Sequence, residues 1–172
     1  MKSRISKILY ATDLSPNSAH AFRYALKLAM DNGARIVILH VIDNTYIYNP
    51  IAMGGYISED KLDQIIGERN AETLEQVENR IESVGRAELG DEYDKVREYI
   101  EAVEIAEGFP AEMILSKADD FACDVIVMGT HGKGIISQTF LGSMAKRVLR
   151  RTRKPVFIVP LPTDHTDITI DD

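Results

Sequence analysis

Apolar residues fall into five short runs, and the segments between them change period. The runs are Ile5 to Thr12 (ISKILYAT), Arg35 to Ile42 (RIVILHVI), Arg97 to Ile105 (REYIEAVEI), Asp124 to Met128 (DVIVM) and Pro155 to Pro160 (PVFIVP). Each has the length and the β-branched or aromatic content of a strand. The second run is nearly continuous rather than alternating, as a strand covered on both faces requires. The third alternates with glutamate at near period two, which predicts a place closer to the sheet edge. Prolines bracket the fifth, and this also suits an edge strand.

The intervening segments keep helical spacing. Ser15 is a predicted N-cap and Pro16 suits the first helical position. Ala19, Phe22, Ala25, Leu26 and Ala29 form an inward face, and Asp31-Asn-Gly33 supplies the stop. From Ser58 onward, Leu62, Ile65, Ile66, Arg69, Thr73, Leu74, Val77, Ile81 and Val84 trace a long amphipathic helix whose end Gly85 and Gly90 bracket. A third helix opens at Phe109-Pro110, with Met113, Ile114 and Ala118 facing inward. The last has Ala145, Val148, Leu149 and Thr152 on one side, while Lys146, Arg147, Arg150, Arg151, Arg153 and Lys154 fill the other face and the C-terminal end. That basic cluster reads as a solvated face supported by the helix dipole. The order β-α-β-loop-α-β-α-β-loop-α-β predicts one doubly wound α/β domain with right-handed crossovers. The connection from Asn44 to Ile57 is rich in Tyr, Gly and Pro and has no clean period. It reads either as a surface excursion or as a lid, and no role is assigned to it.

Composition narrows the picture. With 172 residues, 45% of them hydrophobic, the chain suits a single domain with a substantial core, here drawn over residues 1–160, followed by a short, acidic, poorly ordered tail over 161–172. A formal net charge of −7 and a pI near 5.1 argue against a general nucleic-acid or acidic-membrane binder. No apolar stretch approaches membrane-spanning length. The single cysteine, Cys123, has no partner for an internal disulfide, and Lys2, Arg4 and Lys7 flank only a short apolar run, unlike a signal peptide. A cytoplasmic protein is expected.

The chemistry concentrates in GTHGKGIISQTFLGS, Gly129 to Ser143, a glycine-rich loop between the fourth strand and the last helix. Glycine lets backbone N–H groups approach an anion, and a helix start adds unpaired N–H groups with partial positive charge. In doubly wound sheets ligands bind outside the carboxyl ends of strands where the strand order reverses. If the first and fourth strands are neighbours, this loop meets Ala11-Thr-Asp-Leu-Ser15 in one crevice. Asp13 there accepts hydrogen bonds from a sugar or base, or else serves only as a turn or cap residue beside Ser15. The usual phosphate fingerprints are absent: Gly132-Lys133 is followed by Gly134 rather than Ser or Thr, and the first strand's turn lacks G-x-G-x-x-G.

What stands instead is Gly129-x-x-Gly132, nine residues, then Gly142-Ser143. With ILYATDLS near the N-terminus, HVID at His40 to Asp43 and the closing PVFIVP, the chain resembles the universal stress protein family, specifically its ATP-binding subgroup. The resemblance runs from Ile8 to Pro160 and implies an adenine nucleotide alpha hydrolase-like fold, a five-stranded parallel sheet in the order 3-2-1-4-5, and a homodimer paired through the strand Val156 to Val159. It also implies binding of ATP, or of AMP or ADP, with Mg or Mn held mainly by phosphate oxygens. Adenine lies near the backbone of Val41 and the end of the first strand (Ala11, Thr12). The ribose lies near Asp13 and Gly129, and the phosphates lie along Gly132 and at Gly142-Ser143. Met128, Thr130, His131, Lys133 and Met144 complete the implied binding residues. Ala11 stands where some members carry proline.

Bland readings stand beside these. Ser143 equally suits a helix N-cap, His131 suits a histidine donating to backbone, His40 a core or loop-anchoring residue, and Cys123 a packing residue. With no catalytic residue evident, the expected function is an ATP-binding stress protein, a regulatory dimer with slow or no hydrolysis. An adenylyl-transferring or ATP-hydrolysing enzyme of a related α/β fold lacks its HxGH or SGGxDS loop in ATDLSPNS. A nucleotide-free interaction protein conflicts with the intact glycine motif.

Overall fold

The computed structural model describes residues 4–43, 59–130 and 141–160. Its strands are β1 (Lys7–Thr12), β2 (Arg35–Ile42), β3 (Ile100–Glu107), β4 (Val125–Gly129) and β5 (Val156–Val159). Its helices are α1 (Pro16–Asn32), α2 (Glu59–Leu89), the one-turn α3 (Tyr93–Val96), α4 (Pro110–Asp120) and α5 (Ser143–Arg151). The strands form one parallel sheet in the order β3-β2-β1-β4-β5. This is the expected topology, with β1 at the centre and the strand order reversing between β1 and β4.

Two apolar layers sandwich the sheet, and strand alternation sorts residues between them. Ile8, Tyr10, Ile36, Ile38, Val125 and Val127 pack with Phe22, Ala25, Val77 and Ile81 of α1 and α2. Leu9, Val37, Leu39, Ile126 and Met128 pack with Ile114, Ala118, Ala145 and Val148 of α4 and α5. Both faces of the central strands are thus buried, which is why their sequences run apolar without a break.

The local signals at α1 act as expected. The Ser15 hydroxyl accepts the Ser18 N–H at 3.2 Å, Pro16 opens the helix, and Gly33, at φ 62°, closes it in left-handed geometry. Cys123 is buried against the second layer, and burial pushes its thiol up to about 11. Asp124 lies just outside β4, where its Oδ2 accepts the Ser6 and Lys7 N–H groups at 2.7 and 3.0 Å and clamps the start of β1.

Several boundaries differ from those expected, β1 beginning at Lys7 rather than Ile5 and β4 spanning Val125–Gly129 rather than Asp124 to Met128 among them. The third strand starts at Ile100, not Arg97, because Arg97–Tyr99 form a 3-10 turn, where Arg35 Nη1 donates to the Glu98 carbonyl and Tyr99 packs on the first layer. The same strand runs on to Glu107, since Ala106 and Glu107 pair with Val41 and Ile42. Helix α2 passes straight through Gly85 and stops only where Gly90 takes φ 54°. Gly85 is a packing glycine, as a Cβ there would sit 1.9 Å from Tyr93 Cε2.

Candidate functional site

A cavity of about 710 Å³ opens at the carboxyl ends of the strands, on both sides of the reversal point. That volume lies in the range of small-molecule sites. Of the residues singled out from the sequence, Ala11, Thr12, Asp13, Val41, Met128, Gly129, Thr130, Gly142, Ser143 and Met144 all line it. His131, Gly132 and Lys133 lie outside the described residues, as do the connection Asn44 to Ile57 and the tail Leu161 to Asp172.

The β1 wall is a braced turn. Thr12 Oγ1 donates to Ser18 Oγ at 3.0 Å and accepts the Leu14 N–H at 3.1 Å, while Ser18 Oγ donates to the Ser15 carbonyl at 2.8 Å. Below, the buried Tyr10 hydroxyl donates to the Ser18 carbonyl at 2.6 Å, and burial raises its phenol well above the usual range. Leu14 adopts φ 64°, a left-handed geometry that a branched side chain rarely takes. This turn aims Asp13. Its Oδ1 accepts both the N–H and the hydroxyl of Ser15, at 3.0 and 2.6 Å, whereas Oδ2 is buried and has no hydrogen-bond partner among the described residues. Asp13 is therefore a turn residue and a lining residue at once, one oxygen serving each role. An orphaned buried carboxylate oxygen costs on the order of 1–3 kcal/mol or more, a cost that a ligand hydroxyl removes.

His40 anchors the neighbouring wall. Its Nδ1 lies 2.8 Å from the Thr12 carbonyl, and because a carbonyl only accepts, Nδ1 carries the proton. The bond ties the end of β2 to the end of β1, so that Val41 and Asp13 face one space.

Across the cavity, the two described ends of the glycine loop meet. The Gly142 N–H donates to the Thr130 carbonyl at 2.8 Å, and the Thr130 N–H donates to the Val159 carbonyl at 3.0 Å. Gly129-Thr130 and Gly142-Ser143 are thereby one surface. The N-cap of α5 is Gly142, not Ser143, which is the first helical residue, and no side chain of the described residues caps the helix. A glycine cap leaves the first-turn N–H groups without a side-chain acceptor, and Arg150 and Arg151 occupy the last turn, so the charge distribution of α5 follows its dipole. Two members of the basic cluster form ion pairs: Arg151 with Glu112 at 3.2 Å and Lys154 with Asp119 at 3.1 Å.

Arg69, Thr73 and Gln76 of α2 also line the cavity, and the sequence reading gave them no role there. The signal was present, since Arg69 and Thr73 interrupt an otherwise apolar stripe. With 31 residues, α2 is about 46 Å long and far longer than the strands it packs on, and its middle, from Arg69 to Gln76, lines the cavity while Val77 and Ile81 enter the core.

A braced acidic turn faces a glycine-capped helix start at the reversal point of a doubly wound α/β sheet, the place where sheets of this class leave a crevice. The model of the universal stress protein family matches residues 4–160, and the chain belongs to that family. Universal stress protein MJ0577 of Methanocaldococcus jannaschii is 29% identical over 163 residues, covering 92% of this chain and 97% of that one. Universal stress protein YxiE of Bacillus subtilis is 32% identical over 155 residues, covering 90% and 98%. The solved structure of MJ0577 superposes with a TM-score of 0.67 at 26% identity, over 93% of this chain and 99% of that one. Two more distant structures share the fold. One is a universal stress protein in complex with cAMP (TM-score 0.55, 23% identity, 92% and 98% covered). The other is the universal stress protein from Archaeoglobus fulgidus in complex with dAMP (TM-score 0.51, 19% identity, 90% and 96% covered). Among the described residues no helix is long and apolar enough to cross a membrane.

Proposed function

We propose that this protein binds an adenine nucleotide, ATP or its mono- or diphosphate, in the cavity between β1, β2, β4 and α5, and acts as a regulatory dimer. The observation that carries the reading is the pairing, across one cavity, of Asp13, whose Oδ2 has no partner among the described residues, and the start of α5, which no side chain of the described residues caps. The first suits a ribose hydroxyl, a donor; the second suits phosphate, an acceptor and an anion. Adenine then lies by Val41, over the end of β2. That structures of this fold hold cAMP and dAMP supports the same ligand class. Among the described residues no group of three or more His, Cys, Asp or Glu side chains is placed to hold a metal, so Mg or Mn would be carried by the phosphate oxygens, neutralising their charge. Among the described residues, the groups at the phosphate end are backbone N–H dipoles and the Thr130 and Ser143 hydroxyls, which stabilise charge but are no bases at neutral pH, and this favours holding over turnover. Calorimetry of the purified protein with ATP and with AMP is expected to give saturable one-to-one binding; absence of heat with both would sink the reading.

The dimer pairs through β5. That strand has a neighbour on one side only among the described residues, β4, and its Phe157 is 43% exposed beside the exposed Tyr24 ring, 6.1 Å away. An apolar edge of this kind is a template for a second copy. Light scattering at micromolar concentration is expected to report twice the chain mass, and a monomeric mass would count against the pairing. The domain is taken as residues 1–160.

A further inference from the structure

Arg69 sits in the middle part of α2 and lines the cavity, beside β3 at the sheet edge opposite β5. Its Nη2 lies 2.8 Å from Oε1 of Glu107, the last residue of β3, in register with Ile42 of β2. Both side chains are mostly covered, at 29% and 21% exposure. Arg69 Nε is buried and has no hydrogen-bond partner among the described residues. Thr73, one turn on, is already committed, its hydroxyl donating to the Arg69 carbonyl at 2.8 Å.

We propose that Arg69 is a specificity-determining residue of this site, donating its Nε–H to a ring-nitrogen acceptor of the nucleobase. The inference rests on the adenine-nucleotide reading and adds the group that reads the base. Place, charge and an unused donor argue for it together. The ends of β2 and β3, with Val41 and Glu107, lie on the opposite side of β1 from β4 and α5, so Arg69 faces the base rather than the phosphates. Glu107 already neutralises the guanidinium, so an anion gains little there, while a neutral acceptor gains a charge-assisted hydrogen bond. The Glu107 carboxylate pairs with the guanidinium at Nη2, and Nε–H remains a buried donor without an acceptor among the described residues.

The test is calorimetry of adenosine, AMP and ATP, and of ATP analogues in which N1, N3 or N7 is replaced in turn by C–H, on the wild type, Arg69→Gln and Arg69→Lys. Lysine keeps a cation beside Glu107 but has no Nε–H, so it separates the tether from the base contact. Both variants are expected to bind all three natural ligands about ten-fold more weakly, by the same factor for each. One deaza analogue is expected to bind weakly to the wild type and to lose nothing further in the variants. Unchanged ATP affinity in Arg69→Lys would overturn the inference and leave Arg69 as an α2–β3 tether. A loss that grows from adenosine through AMP to ATP would overturn it in favour of a phosphate contact. A wild type that binds none of the three ligands would instead overturn the nucleotide reading itself, and this inference with it.

Discussion

Aspartate in place of Gly142 is expected to leave the fold at least as stable and to remove nucleotide binding. Gly142 has φ −57° and ψ 156°, a geometry open to any residue, so nothing in the backbone requires glycine there. As an N-cap, aspartate is better than glycine by a few tenths of a kcal/mol, because its carboxylate accepts the free N–H groups of the first turn and complements the dipole. The same carboxylate fills the place and the potential that a phosphate needs. Affinity for ATP is expected to fall on the order of 100-fold or more, roughly 3 kcal/mol, while thermal denaturation shows an unchanged or slightly higher midpoint. The opposite signs make the experiment decisive. If the variant keeps wild-type affinity for ATP, the start of α5 is not the phosphate site. If it loses both binding and stability, the loss reflects misfolding, and Gly142→Ala, smaller and uncharged, becomes the informative comparison.

Alanine in place of Gly85 is expected to destabilise the protein, whereas the same change at Gly67, in the same helix, is expected to stabilise it. Both are interior positions of α2, where glycine costs about 0.5–1 kcal/mol relative to alanine. At Gly67 a Cβ would meet nothing within 4 Å, so the full helix gain is available. At Gly85 a Cβ would fall 1.9 and 2.2 Å from Cε2 and Cδ2 of Tyr93, a ring only 2% exposed and therefore held in place by its surroundings. Overpacking of this kind costs about 1–3 kcal/mol and outweighs the propensity gain. For a chain of this size, each kcal/mol moves the midpoint by about 2–4 °C. Denaturation midpoints that rise for both variants would show that Tyr93 moves aside freely and that Gly85 is no packing glycine.

Much of the architecture was legible because local and global signals agree. Ser15, Pro16 and Gly33 mark both ends of α1 by chemistry that acts within a few residues, and the continuous RIVILHVI run announces a strand covered on both faces. Boundaries were less legible where distant packing sets them. Arg97–Tyr99 has strand propensity, yet Tyr99 packs into the first layer and the segment turns. Gly85 looks like a stop in sequence and acts as a slot for Tyr93 in space.

The candidate site divides in the same way. Asp13 and Gly142-Ser143 stood out because turns and caps need particular residue types at particular spacings, and such needs are written locally. Arg69 stood in the sequence only as a polar break in an apolar stripe. Nothing in its neighbours tells that the middle of α2 lines the cavity, or that Glu107, 38 positions on, ends β3 beside it.

By itself, then, the sequence determined the α/β class, the strand and helix order, and the glycine loop's likeness to the universal stress protein family, because periodicity and capping are properties of short segments. Only the tertiary structure decided that Gly142 rather than Ser143 caps α5, that Asp13 keeps one oxygen unused, and that Arg69 reaches the cavity. Each of these depends on which groups are left without a partner once the chain is packed, and an unmet hydrogen bond is a property of the whole fold rather than of any segment.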